Sequence, residues 1–196
     1  MGGVLSEYEF RSKKRHEWSL TLAAKIKKPN GKEVVYHRMA SLDPYYHNFL
    51  EGNTYRESCY QCPYSQPLRP GDITIGDFWG IENCYPELFD IRGVSCAIVN
   101  SFKGKEFWAQ LSSVIESHQV RLDYIVNNNG NLREPTRRKS IRDHIYKNVN
   151  QKGFGSIPYD LPVRCRIIDT IKNYLPNKWR YAVKTFLKPI INFVRD

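Results

Sequence analysis

Long apolar runs are absent from this chain. No stretch of about 18 apolar residues occurs in its 196 positions, so a membrane-spanning helix is not expected. Its first residues lack the charged-then-apolar pattern of a secretory leader, which makes a cytoplasmic location the default expectation. The five histidines show no ligand-like pairing, and the five cysteines are an odd, irregularly spaced set. Such a set does not read as the disulfide framework of a secreted protein. A Ser/His/Asp combination, paired catalytic carboxylates and a phosphate-cradling glycine loop are all missing. Internal repeats are missing too.

Negative charge is the other shortage. The net charge is +10, and it is unevenly spread: +4 over residues 1–50, +1 over 51–156 and +5 over 157–196. The basic surplus therefore belongs to the two ends. Basic ends can meet an acidic partner, an anionic membrane surface or nucleic acid, or can simply be solvated. A zinc-stapled nucleic-acid binder is disfavoured, because the cysteine-bearing middle is the least basic part of the chain. What the chain does have is 41% hydrophobic and 13% aromatic residues, the composition of a folded protein of at least one domain.

Residues 18–28 and 33–38 read as two strands, joined through Pro29-Asn30-Gly31-Lys32 as a hairpin. A short helix follows, with Asp43 as its cap, Pro44 at its first position and Gly52 after its end. Residues 56–71 read as loop, and 72–76 as a short strand. Residues 94–100 read as a buried strand and 103–115 as a helix with Phe107, Leu111, Val114 and Ile115 on one face. Gln119 to Leu122 is a further strand candidate, 127–131 a polar loop and 138–151 a basic helix. The pattern predicts an α+β fold: a mixed sheet with an N-terminal hairpin, flanking helices and a C-terminal helical tail. The main domain is expected over 1–156. The tail, 157–196, reads as helices over 160–175 and 177–194, broken at Pro176, basic and amphipathic. Such a tail can lie on a membrane surface or dock on the protein itself.

The chemistry-bearing stretch runs from Arg56 through Cys59 and Cys62 to Asp72, Gly76, Asp77, Phe78, Trp79 and Gly80. A Cys-x-x-Cys pair lets two thiolates converge on one centre with little backbone strain. Half a zinc site, a dithiol redox pair, half an iron–sulfur site and two cysteines with no role all remain open on the spacing alone. Zinc needs two more ligands that the sequence does not offer nearby. A thioredoxin-like pair sits at a helix N-terminus after a strand, whereas here Arg-Glu-Ser precedes it and prolines follow. A cluster wants four thiolates; Cys84 is a candidate third, Cys96 reads as core and Cys165 as structural.

Arg-x-x-Cys-x-x-Cys, a spacer, and then Asp-Ile-x-x-Gly-Asp-Phe-Trp-Gly-Ile-Glu resembles the C-terminal domain of the coenzyme F-420 hydrogenase/dehydrogenase β-subunit family. The similarity extends to Phe10–Lys13, Phe49-Leu50, Arg92–Ser95 and Val99–Lys105, and its Trp-Gly form resembles the branch found beside surface-polysaccharide genes. The resemblance implies a flavin (FAD) subunit with a 4Fe-4S iron–sulfur cluster, passing electrons between cluster, flavin and a redox partner protein. On it, Cys59 and Cys62 are cluster ligands, Arg56 supports their loop, and Asp72, Gly76, Phe78, Trp79 and Gly80 lie by the flavin. Gly76 and Gly80 let the backbone come near a cofactor, and Phe78 or Trp79 packs on its ring, unless both aromatics are core. Family members begin with a ferredoxin-like, cysteine-rich module, whereas this chain opens near the middle of the pattern. It is therefore expected to be incomplete as a catalyst and to share its cluster with a missing N-terminal half. The alternative is a non-catalytic scaffold docking on a membrane-associated polysaccharide assembly.

Overall fold

Asn30 and Gly31 make the first turn locally. Gly31 takes φ +79°, the Lys32 amide donates to the Asn30 side-chain oxygen at 3.1 Å, and the strands on either side align from Lys27↔Glu33 to Thr21↔Met39. In the computed structural model, which describes residues 3–16, 19–176 and Trp179, the strands are β1 (Val4–Glu9), β2 (Thr21–Lys27), β3 (Glu33–Met39), β4 (Ile73–Asp77) and β5 (Ser95–Val99). The helices are α1 (Lys13–His16), α2 (Pro44–Leu50), α3 (Ile81–Cys84), α4 (Phe102–Leu111), α5 (Leu122–Asn128), α6 (Ile141–Lys152) and α7 (Val163–Tyr174). The fold is α+β and opens with the expected hairpin. In place of one mixed sheet there are two separate antiparallel sheets, ordered β1-β2-β3 and β4-β5.

The chain divides into two compact units, residues 1–54 with 140–196, and residues 55–139. In the first, β1 adds to the hairpin as an edge strand, with an irregularity between Leu5 and Glu7. Leu22, Ala40 and Tyr46 are its buried centre, with Tyr8, Leu20 and Ala24 packed around them. Asp43 caps α2 by accepting from the Tyr46 amide at 2.9 Å, and Pro44 occupies the first turn, where no amide is needed. Asn48 is buried and donates to the carbonyls of Pro44 and Pro158, both at 2.8 Å.

Residues 157–174, expected as a tail, belong to this same unit. Asn173 is buried, and its side-chain oxygen accepts from the Met39 amide at 3.0 Å, so α7 lies against the end of β3. Tyr159 donates its hydroxyl to the Ser41 carbonyl, while the Arg166 guanidinium stands 4.7 Å from its ring. Apart from Trp179, the expected helix over 177–194 lies outside the described residues, as does Trp18, the first residue of the expected opening strand. Among the described residues no helix is long and apolar enough to cross a membrane.

The second unit is built on the β4–β5 ribbon, whose register runs from Ile73↔Val99 to Asp77↔Ser95. Cross-strand partners share a face, so Thr74, Gly76, Cys96 and Ile98 lie on one side and Ile73, Ile75, Ala97 and Val99 on the other. The first face meets a core of Phe78, Ile81, Cys96, Ile125 and Leu132. The second leaves Ile75 72% exposed. Of β5, expected as a buried strand, only Cys96 is buried, because a two-stranded ribbon with one covered face buries alternate residues. Helix α4 is capped by the Ser101 hydroxyl, which accepts from the Gly104 amide at 3.0 Å. It ends at Leu111, and Phe107 and Val114 are exposed. Gln119 to Val120 form no strand; residues 116–121 carry no regular structure, and α5 starts at Leu122.

Candidate functional site

The Cys-x-x-Cys pair sits in a single 3-10 turn, Glu57–Gln61, with Cys62 as the residue that ends it. A 3-10 repeat brings positions three apart onto one side, which suits two sulfurs spaced as Cys59 and Cys62 are. Arg56 opens the turn, and its carbonyl accepts from the Cys59 amide at 2.9 Å. Two contacts anchor it. Arg138 grips the Glu57 carboxylate through two nitrogens, each at 2.9 Å, a forked pair with fixed geometry. The Tyr60 hydroxyl accepts from the Tyr55 amide at 3.2 Å. Both thiols are free, Cys59 exposed and Cys62 half-buried.

The other cysteines are differently engaged. Cys96 is buried in the core, where its thiol donates to the Asp77 carbonyl at 3.6 Å. Burial pushes that thiol's pKa up, so it stays protonated and is a poor ligand. Cys84, the candidate third thiolate, lies at the end of α3, where its sulfur accepts from Asn128 at 3.9 Å. Cys165 is in the other unit. Among the described residues no three His, Cys, Asp or Glu side chains are grouped as a metal site requires. Cys59 and Cys62 thus offer two of the four thiolates that a cubane cluster takes.

Beside β4 the ribbon opens into a cleft of about 420 Å³. Its floor is the inner face of the ribbon, Thr74, Gly76, Cys96 and Ile98, and Trp79 and the 128–132 segment stand around it. Gly76 leaves that floor low, since a Cβ there would reach to 3.9 Å from the Cys96 sulfur. Trp79 is 36% exposed, whereas its neighbour Phe78 is 6% exposed and part of the core. The strand ends at Asp77 and the chain turns at once, the Trp79 amide donating to the Asp77 carbonyl at 3.1 Å, so strand alternation does not carry on through these two residues.

Of the five residues expected beside a flavin, the structure places Gly76 and Trp79 on this cleft. Asp72 is held elsewhere, by the Ser101 hydroxyl and, at 3.9 Å, the Lys103 ammonium. Gly80 acts one step removed. Its φ of +78° starts α3 and leaves room for Asn128, whose amide donates to the Tyr124 carbonyl at 2.9 Å. Arg69 and the segment Asn128 to Leu132 are cleft residues that sequence reasoning did not single out. Arg69 donates to the Asn131 carbonyl at 2.8 Å and to Gln66 at 3.3 Å. The run of asparagines around Gly130 was a local hint of a polar wall, while nothing local distinguishes Arg69. No carboxylate lines the cleft, so among the described residues the Arg69 charge faces it without an acidic counterpart.

Comparison with known protein families, with curated proteins and with solved structures finds no match to this chain.

Proposed function

We propose that this chain is the flavin- and cluster-handling part of an electron-transfer oxidoreductase subunit. One observation carries the reading: a glycine-floored cleft walled by a half-exposed tryptophan holds an arginine and no carboxylate. A planar, anionic ligand suits those walls, since Trp79 offers a stacking face, the asparagines offer edge hydrogen bonds and Arg69 offers charge. A flavin nucleotide has that chemistry, and when bound it exchanges electrons one or two at a time. The residues of the chain do the rest: Gly76 admits the ring, Trp79 packs on it and Arg69 neutralises a phosphate. Cys59 and Cys62 supply half of a cluster's thiolates, the remainder coming from a redox partner polypeptide. The reading agrees with the family resemblance of the Arg56–Glu82 stretch.

Equilibrium dialysis of the full chain against FAD and FMN tests this. Saturable binding is expected, weakened by about tenfold or more, roughly 1.4 kcal/mol, in Arg69→Ala. Iron and sulfide added anaerobically in the presence of the partner polypeptide that supplies the other thiolates should give visible absorbance that a Cys59→Ser/Cys62→Ser double variant loses. No flavin binding at millimolar concentration would overturn the proposal.

The docking alternative is favoured by one feature of α7. Val163, Ile167, Ile171 and Tyr174 are all exposed, and their spacing puts them on one helical face, with basic Arg164 and Arg166 nearby in sequence. An anionic membrane surface would accept such a face. Flotation with anionic vesicles is expected for the chain and not for an Ile167→Glu/Ile171→Glu variant; equal flotation of both refutes it.

A further inference from the structure

The second unit contains a further groove of about 980 Å³ along β5, which shares Ile98 with the cleft. One wall is β5 itself, and the other is the irregular run Ser117 to Val120. The pairing of β4 with β5 fixes which backbone groups face this groove. Asn100 donates to the Asp72 carbonyl at 2.8 Å and Phe78 to the Val94 carbonyl at 2.9 Å. Hydrogen-bonded pairs alternate with non-bonded ones in an antiparallel ladder. The bonded pairs between these two are therefore Thr74↔Ile98 and Gly76↔Cys96, and Ser95, Ala97 and Val99 turn their N–H and C=O groups away from β4. β5 has no lysine, proline or bulge, three of the devices that protect a sheet edge.

The opposite wall has the same deficiency. Residues 117–120 lie outside any helix or strand, and among the described residues their backbone groups make no hydrogen bond. Between the walls the groove reaches down to Ile98, Trp108 and the buried Ile125, and Lys105 supplies a cation.

We infer that this groove is a strand slot, which takes one extended segment of a partner polypeptide between β5 and residues 117–120. The segment completes a sheet in which β4, β5, the incoming strand and 117–120 lie side by side. Its chemistry follows from the walls: apolar side chains at alternate positions reach Ile98, Trp108 and Ile125, and an acidic residue meets Lys105. A second copy of this chain does not suit the slot. Its own β5 already carries β4 on one edge, so it can satisfy a single wall and leaves 117–120 unpaired. The inference stands independently of the flavin reading of the cleft.

Amide hydrogen exchange on the full chain tests it. The probe is a synthetic, end-blocked seven-residue peptide alternating valine and threonine, with one glutamate. At ten times its Kd, the amides of Ala97, Val99 and residues 118–120 should all slow by about tenfold. Ala97→Pro removes only an outward N–H, so the Cys96 and Ile98 amides stay protected while the peptide effect disappears. Gln119→Pro should abolish the effect from the other wall, which keeps the test valid where Ala97→Pro does not fold. Lys105→Glu should weaken binding of this peptide and strengthen that of one with lysine in place of glutamate. Slowing at β5 alone, accompanied by dimerisation, assigns the edge to a second copy and overturns the proposal. Absence of slowing on either wall at millimolar peptide also overturns it, as does full protection of both walls before peptide is added.

Discussion

Gly80 and Asn128 compete for the same space: a Cβ built on Gly80 would stand 2.5 Å from the Asn128 Oδ1 and 2.7 Å from its Cγ. The helix after β4 can start where it does only because that position carries no side chain. Asn128 fills that space at the wall of the cleft, held by its hydrogen bond to the Tyr124 carbonyl at 2.9 Å.

Gly80→Ala is therefore expected to lower stability by about 2–3 kcal/mol, of which about 1–2 is the left-handed backbone and the rest the displaced amide. Adding Asn128→Ala to that variant should recover the second part and not the first. Urea denaturation of the two variants measures it. Gly31→Ala, at φ +79° with nothing within 4 Å, should show the backbone part alone.

Gly104 is a harder case. A Cβ there meets the Asp72 backbone carbonyl, and a carbonyl inside a strand connection cannot swing aside as a side chain does. Gly104→Ala should push α4 off the start of β4 and destabilise the second unit more than Gly80→Ala, by about 3 kcal/mol or above on the scale of overpacking. Loss of protection at the Asn100 amide would report the shift, and an unchanged amide would refute it.

Docking of α7 depends on Asn173. Replacing it with alanine leaves the partly buried Met39 amide without its acceptor, a loss of about 1–3 kcal/mol. Exchange at Met39 should accelerate sharply in Asn173→Ala while the hairpin amides of β2 change little. Asn173→Asp, which keeps an acceptor oxygen, should retain part of the protection.

The Asp90–Arg92 pair predicts a pH response. Arg92 donates from its side chain and its backbone to Asp90, holding that carboxyl at a pKa of about 2. A lowered folded-state pKa means that the contribution to stability is complete above the ordinary aspartate range and disappears as pH falls through about 2. A carboxyl titration by NMR should show this midpoint in the natural chain and a higher one in Arg92→Gln, still below the ordinary value of about 3.9 because the backbone amide of residue 92 keeps donating. The pair is exposed, so the titration is the sensitive measurement. An unmoved midpoint in the variant would assign the shift to another group.

Several elements could be read from residues alone because their causes are local. Asn30-Gly31 forces its turn wherever it stands, and Asp43-Pro44 starts a helix from its own side chain and ring. The α+β class and the hairpin followed from such signals. β1 escaped notice because Ser6, Glu7 and Glu9 spoil any apolar alternation, and its place depends on a backbone ladder with β2. α5 was hidden for a related reason: only Ile125 is deeply buried along it, and its asparagine end resembles a loop. Conversely, Gln119 to Leu122 has strand-like composition and lacks the neighbouring strand that would make it one.

The cysteine pair and the Asp72–Gly80 stretch stood out as candidate site residues from residue types and spacing. Tertiary structure alone decided which of those residues share a surface. It put Trp79 on the cleft and Phe78 in the core, brought Arg69 beside Asn131 across 62 positions of chain, and returned α7 to β3. Sequence determines propensities that act within a few residues, whereas a cleft or a docked helix depends on contacts between distant segments that only packing brings together.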